Sequence, residues 1–154
     1  MRIIADVNVL ISRLLQPHRL TAVNITVHSV LSGDVELLIP PQVIRELASA
    51  VTNSPYLAGR ITAEHVDTLL AALAPSATIL PDLADDLSLK TRDSKDNYLL
   101  AYTVVFRPDY LVSGDKDLLT LNTVDGIPIL SPARFVQVLR ELGIIEPDQN
   151  GERS

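Results

Sequence analysis

Short apolar runs recur along this chain at 2–5, 36–39, 77–80, 111–113 and 127–130, and the stretches between them carry helix signals. Runs this short are strand-length, not helix-length. Strands that alternate with helices require a parallel sheet covered on both faces, joined by right-handed crossovers. The expected class is therefore α/β. A helix starts near Asn8, breaks around Pro17 and resumes from about Leu20 to Leu31, where Gly33 is a natural stop. Pro41 suits the first turn of a helix running to about Val51, and Asn53-Ser54-Pro55 breaks it. Thr62 caps a helix that reaches Leu73. Further helices are expected from Ser94 to about Phe106 and from Pro132 to Leu142. Pro128 demotes the run at 127–130 to an edge strand. The acidic stretch 81–92 reads as a long loop. The length suits one domain, expected over 1–145, with 146–154 a polar, flexible tail.

Within that frame the acids are placed suggestively. Asp6 follows the first strand directly, and Asp115 and Asp117 follow the strand that ends at Ser113. Open α/β sheets put ligand sites just past the carboxyl ends of their strands. Carboxylates gathered there repel unless a cation joins them, and a hard, oxygen-loving ion such as Mg²⁺ or Mn²⁺ is the natural one. Each acid also has a plainer use. Asp6 could cap the following helix, as could Asn8. Asp115 could cap a short helix over Lys116–Leu121, so one of Asp115 and Asp117 is expected to be structural, with Asp115, nearest the strand end, the better ligand candidate. In a helix from Ser94, Asp96 shares a face with Leu100 and Val104, which should point it inward, where an unpaired acid is rare. Asp93 stands three residues earlier and could be a first-turn acid. Glu46 lies off the stripe of Val43, Ile44, Leu47, Ala48 and Val51, and by pattern alone is a solvated helix residue.

Composition narrows the chemistry. The chain of 154 residues is 47% hydrophobic, enough for a sizeable core without staples. It contains no Cys, which excludes disulfides, thiolate catalysis and Cys-bound zinc. The N-terminal strand is neither a signal peptide nor a membrane anchor, so a cytoplasmic protein is expected. The net charge of −6 argues against tight non-specific nucleic-acid binding, which Lys and Arg drive. Yet Lys90, Arg92, Lys95 and Lys116 lie near the acids in sequence, and Arg13, His18 and Arg19 follow Asp6. These basic groups are either ordinary solvated charges or phosphate contacts. The three His residues show no ligand spacing, and no phosphate-cradling glycine loop is present. Three of the four Tyr are scattered in or near helices and form no strand-borne stacking platform.

Four blocks then resemble the PIN-domain family in order and in context. Asp6-Val7-Asn8-Val9-Leu10 resembles its opening strand and turn, and Val43-Ile44-Arg45-Glu46-Leu47 the helix bearing its second acid. The run from Arg92 to Ala101 resembles the third block, and the run from Leu111 to Leu119 the fourth. The likeness spans about residues 1–135, and its third block is most similar to the branch of toxin components of toxin–antitoxin pairs, related to VapC-type toxins. Val7 departs from the Thr common in the family, which removes no ligand.

The resemblance implies a three-layer α/β/α sandwich and a Mg²⁺- or Mn²⁺-dependent endoribonuclease. It makes Asp6, Glu46, Asp96 and Asp115 the catalytic and metal-binding acids. Asn8, Asp93, Ser113 and Asp117 become accessory groups; the nearby basic residues Arg13, Arg92, Lys95 and Lys116, read from their position, would be weaker RNA contacts. Its implied partners are an RNA substrate, an antitoxin protein and a second copy in a homodimer, with no membrane. Two other readings compete: a non-catalytic protein-binding module that keeps the acids as a structural cluster, and, more distantly, an aspartyl phosphatase, for which Asn8 stands where a second Asp would be needed.

Overall fold

The structure is a computed structural model that describes residues 1–83 and 97–147. Its strands are β1 (Arg2–Ala5), β2 (Glu36–Ile39), β3 (Ala77–Ile79), β4 (Tyr110–Val112), β5 (Thr123–Val124) and β6 (Ile127–Leu130). They form one sheet in the order β3-β2-β1-β4-β6-β5. All pairings are parallel except β5 with β6. Around the sheet lie α1 (Val7–Leu15), α2 (Ala22–Leu31), α3 (Pro41–Asn53), α4 (Pro55–Ala58) and α5 (Ala63–Leu73). They are followed by α6 (Asn97–Phe106), α7 (Lys116–Thr120) and α8 (Pro132–Glu141). This is the expected three-layer α/β/α fold, with a mixed, mostly parallel sheet.

The central strands explain the sequence pattern. Ile3, Ile4, Leu111 and Val112 are fully buried, because a parallel sheet covered on both faces needs apolar residues at consecutive positions. Helix α1 packs on α2 and α3, and α2 packs on α8. The core runs continuously from Ile3 to Leu139. The turns are set locally. Ser54 closes α3 through its N–H to the Ala50 carbonyl (3.0 Å) and opens α4 by accepting from the Leu57 N–H (3.3 Å). Thr62 accepts from the His65 N–H (3.1 Å), and His65 Nδ1 accepts from the Thr62 N–H (3.2 Å), a reciprocal cap with His in the usual Glu position.

Two expectations need correction. The run 127–130 is not the edge: β6 lies between β4 and the two-residue β5. Pro128 is tolerated because β4 pairs with Ile129 and Leu130, while Pro128 faces only Thr123 of β5. The signal for β5 was present. Asp125 (φ 50°) and Gly126 (φ 82°) make the left-handed two-residue turn that an Asp-Gly pair favours in hairpins. The second correction concerns α6. Leu100 is half-buried and Val104 is 41% exposed, whereas Leu99, Tyr102 and Thr103 are fully buried. The helix is apolar nearly all round, so its inward stripe could not be read from hydrophobicity. The argument that turned Asp96 inward through Val104 therefore fails, and Asp96 itself lies outside the described residues.

Candidate active site

The strand order changes direction between β1 and β4. From β1 the chain builds outward to β2 and β3, then returns to the other side of β1 for β4. Such a switch point opens a crevice at the carboxyl ends of the two strands. Ala5 and Val112 are the last paired residues, and the Asp6 N–H continues the ladder to the Val112 carbonyl at 2.9 Å. Asp6 and Ser113 are thus set side by side by the sheet.

Their side chains are bonded. Ser113 Oγ donates to Asp6 Oδ2 at 2.8 Å, and both residues are fully buried. Asp6 Oδ1 accepts from the Asn8 N–H at 3.1 Å, so Asp6 also caps α1. A hydroxyl has one proton to give and lone pairs to spare. Ser113 Oγ uses one of these to accept the Asp115 N–H at 3.0 Å. Asp115 in turn caps α7, its Oδ1 accepting from the Asp117 N–H at 2.8 Å. The capping uses foreseen for Asp6 and Asp115 are both real. Asp117 is exposed in the first turn of α7, and Lys116 is exposed beside it.

Glu46 reaches the same crevice from α3. It is half-buried and accepts a hydrogen bond from the Tyr98 hydroxyl on α6, which departs from the solvated residue its spacing suggests. Asp6, Asn8, Ile11, Arg45, Glu46 and Ser49 line one open cleft of about 680 Å³. That is ample for a nucleotide-sized ligand. Arg45 Nη2 lies 3.2 Å from Asp82 Oδ1, and both side chains are largely exposed. A pair so open to water is weakly held, which leaves the guanidinium available to an anion.

Of the remaining expected residues, Arg92, Asp93, Lys95 and Asp96 lie outside the described residues. Arg13 lines a different groove with Leu14, Leu31, Glu64 and Leu69. Arg45, Ser49 and Tyr98 were not foreseen as site residues. Arg45 and Ser49 could have been: they stand four apart on α3 and flank Glu46. Tyr98 meets Glu46 across 52 positions of sequence, which no local pattern reveals.

Among the described residues no three acids stand close enough to hold a metal ion by themselves. The donors at the crevice are nonetheless oxygens, which suit a hard cation. Asp6 adds a specific reason. It is a fully buried carboxylate with two hydrogen bonds, and no cation pairs with it among the described residues. A charge so buried is costly unless a positive partner offsets it. Asp6 thus offers buried oxygens that would suit a nearby divalent ion, while among the described residues no group of acids completes a site for one.

A family model described as PIN domain matches residues 2–117. No curated protein matches the chain. The matched span contains the crevice, both strands of the switch point and Asp6, Glu46 and Asp115.

Proposed function

Because the chain belongs to the PIN-domain family, whose fold is a nuclease fold and generally metal-dependent, we propose that it is a Mg²⁺- or Mn²⁺-dependent endoribonuclease. Asp6, Glu46, Asp96 and Asp115 would hold the ion. Bound there, the ion would lower the pKa of a water molecule and offset charge on the scissile phosphate. The chain's own groups divide the remaining work. Ser113 and the Asn8 N–H fix the Asp6 carboxylate. Glu46, steadied by Tyr98, accepts a proton from the attacking water. Arg45 holds a phosphate oxygen, exchanging Asp82 for it. The water oxygen bonds to phosphorus as the bond to the 3′ oxygen breaks, and that oxygen takes up a proton. The products are a 5′-phosphate and a 3′-hydroxyl.

The observation that carries this reading is Asp6, a buried carboxylate without a described cationic partner at the switch point of the sheet. The wider role, as the toxin of a toxin–antitoxin pair that acts as a cytoplasmic homodimer, is supported by the likeness of the third sequence block. Its unit is a single domain over residues 1–145. Among the described residues no helix is long and apolar enough to cross a membrane.

Incubating single-stranded RNA with the protein in Mg²⁺, in Mn²⁺ or in chelator tests the proposal. Cleavage to 5′-phosphate ends is expected only with metal, and Glu46→Gln should slow it by about 10²- to 10⁴-fold. Cleavage in chelator, or an equal rate in Glu46→Gln, would refute it. The absence of a three-acid group among the described residues also suits a non-catalytic binding module. No cleavage in either metal would favour that reading.

A further inference from the structure

A second hollow follows the acid cleft along α1. On α1, Asn8, Ile11, Ser12 and Leu15 follow the spacing of a single helical face. Asn8 and Ile11 line the acid cleft, while Ser12 and Leu15 line a second hollow of about 420 Å³ with Gln16, Tyr56 and Arg60. The same face of α1 thus floors both. Across from it, α3 carries Glu46 and Ser49 at the acid cleft, and α4, which follows α3 directly, brings Tyr56 to the second hollow. From Asn8 to Leu15 the helix rises roughly 10 Å, the length of a short run of nucleotides.

The far hollow has the chemistry of a base-stacking site. Tyr56 is 57% exposed, unusual for a large aromatic side chain. The Arg60 guanidinium lies 3.8 Å from its ring centroid, and Arg60 Nη1 donates to the Tyr56 carbonyl at 2.8 Å. As a local brace, this contact would close the α4 turn and nothing more. Its position says more: it places an aromatic face and a planar cation in a polar hollow, at the end of a groove that begins with Arg45. Two cations bracket this path on a chain whose net charge is −6. Aromatic faces and guanidinium planes both stack on unpaired bases, whatever the base.

We infer that single-stranded RNA passes from the acid cleft along the groove between α1 and α3 and stacks a base on the Tyr56–Arg60 pair. The inference rests on the ribonuclease reading, and it adds a positioning subsite several residues away from the chemistry.

The test measures binding and cleavage separately. A fluorescein-labelled single-stranded RNA is titrated with the full chain in chelator, followed by anisotropy, for wild type, Tyr56→Ala, Tyr56→Trp and Arg60→Gln. Tyr56→Ala should weaken binding roughly 5- to 150-fold, the range for loss of one base stack. Tyr56→Trp should retain it, and Arg60→Gln should fall between. In Mg²⁺ the same loss should appear in KM and not in kcat, as expected for uniform binding. Equal binding by wild type and Tyr56→Ala, with melting temperatures matched, would overturn the inference, and continued cleavage would leave the ribonuclease reading intact. A wild type that never cleaves but binds through Tyr56 would remove the ribonuclease reading and keep the groove. Equal affinity for a fully paired duplex would also overturn the inference, because stacking here needs an unpaired base. No RNA binding by wild type would overturn it outright.

Discussion

Ser113 does more than its small size suggests. Its hydroxyl is the bridge between two acids that follow different strands, donating to the Asp6 carboxylate and accepting from the Asp115 backbone N–H. Ser113→Ala removes both bonds in a fully buried setting. A buried polar group left without its partner costs about 1–3 kcal/mol. The variant should therefore melt several degrees lower, and its cleavage rate should drop because the Asp6 carboxylate keeps only the Asn8 N–H of its two hydrogen bonds. An unchanged melting temperature in thermal denaturation would show that water replaces the hydroxyl. This bridge was half legible in the sequence. Position after a strand marked Asp6 and Asp115, because short apolar runs showed where the strands end, while Ser113, read as the last strand residue, was marked only by the family resemblance. The bond that unites them was not legible, since it depends on the register of Ala5 with Val112.

At the scale of elements, α6 ties the far side of the crevice together. Tyr98 holds Glu46, and the fully buried Tyr102 donates to the Pro81 carbonyl at 2.7 Å. Burial pushes the Tyr102 phenol above its ordinary value of 10.0. The folded chain therefore keeps this proton to higher pH than the unfolded chain does. The resulting stability is complete below about pH 10 and is lost as pH rises through the folded value. In urea unfolding, wild type should lose stability above about pH 10 more steeply than Tyr102→Phe, which has no phenol to ionise. Parallel pH profiles for the two would show that Tyr102 ionises freely in the folded state. Elements with strong end signals were the legible ones: Pro41, Thr62 and Pro132 each start a helix within a residue of where the sequence set it. The inward face of α6 was not, because Leu99 to Phe106 offers apolar side chains in every direction. The strand β5 was missed because two residues give no periodicity, although the turn that forms it was written in Asp125-Gly126.

For the whole molecule, topology carries the argument. The strand order brings β1 and β4 together at the switch point, and residues over 100 positions apart meet there. The alternation of strands and helices made that architecture legible, since few right-handed arrangements of such a chain exist. It did not show that Arg45 would face the crevice with Glu46. The sheet buries the Asp6 carboxyl at the switch point, and a divalent ion bound there, as proposed, should stabilise the fold. The direct test is the melting temperature with and without Mn²⁺, for wild type and Asp6→Asn side by side. Ion at about 100 times its dissociation constant should add about 2.7 kcal/mol to wild type. Asp6→Asn keeps the shape and the cap while removing the buried charge, so without metal it should melt at or above the wild-type temperature. It should also lose the response to Mn²⁺. A wild type indifferent to Mn²⁺, or an Asp6→Asn variant that gains as much from it, would contradict the metal site.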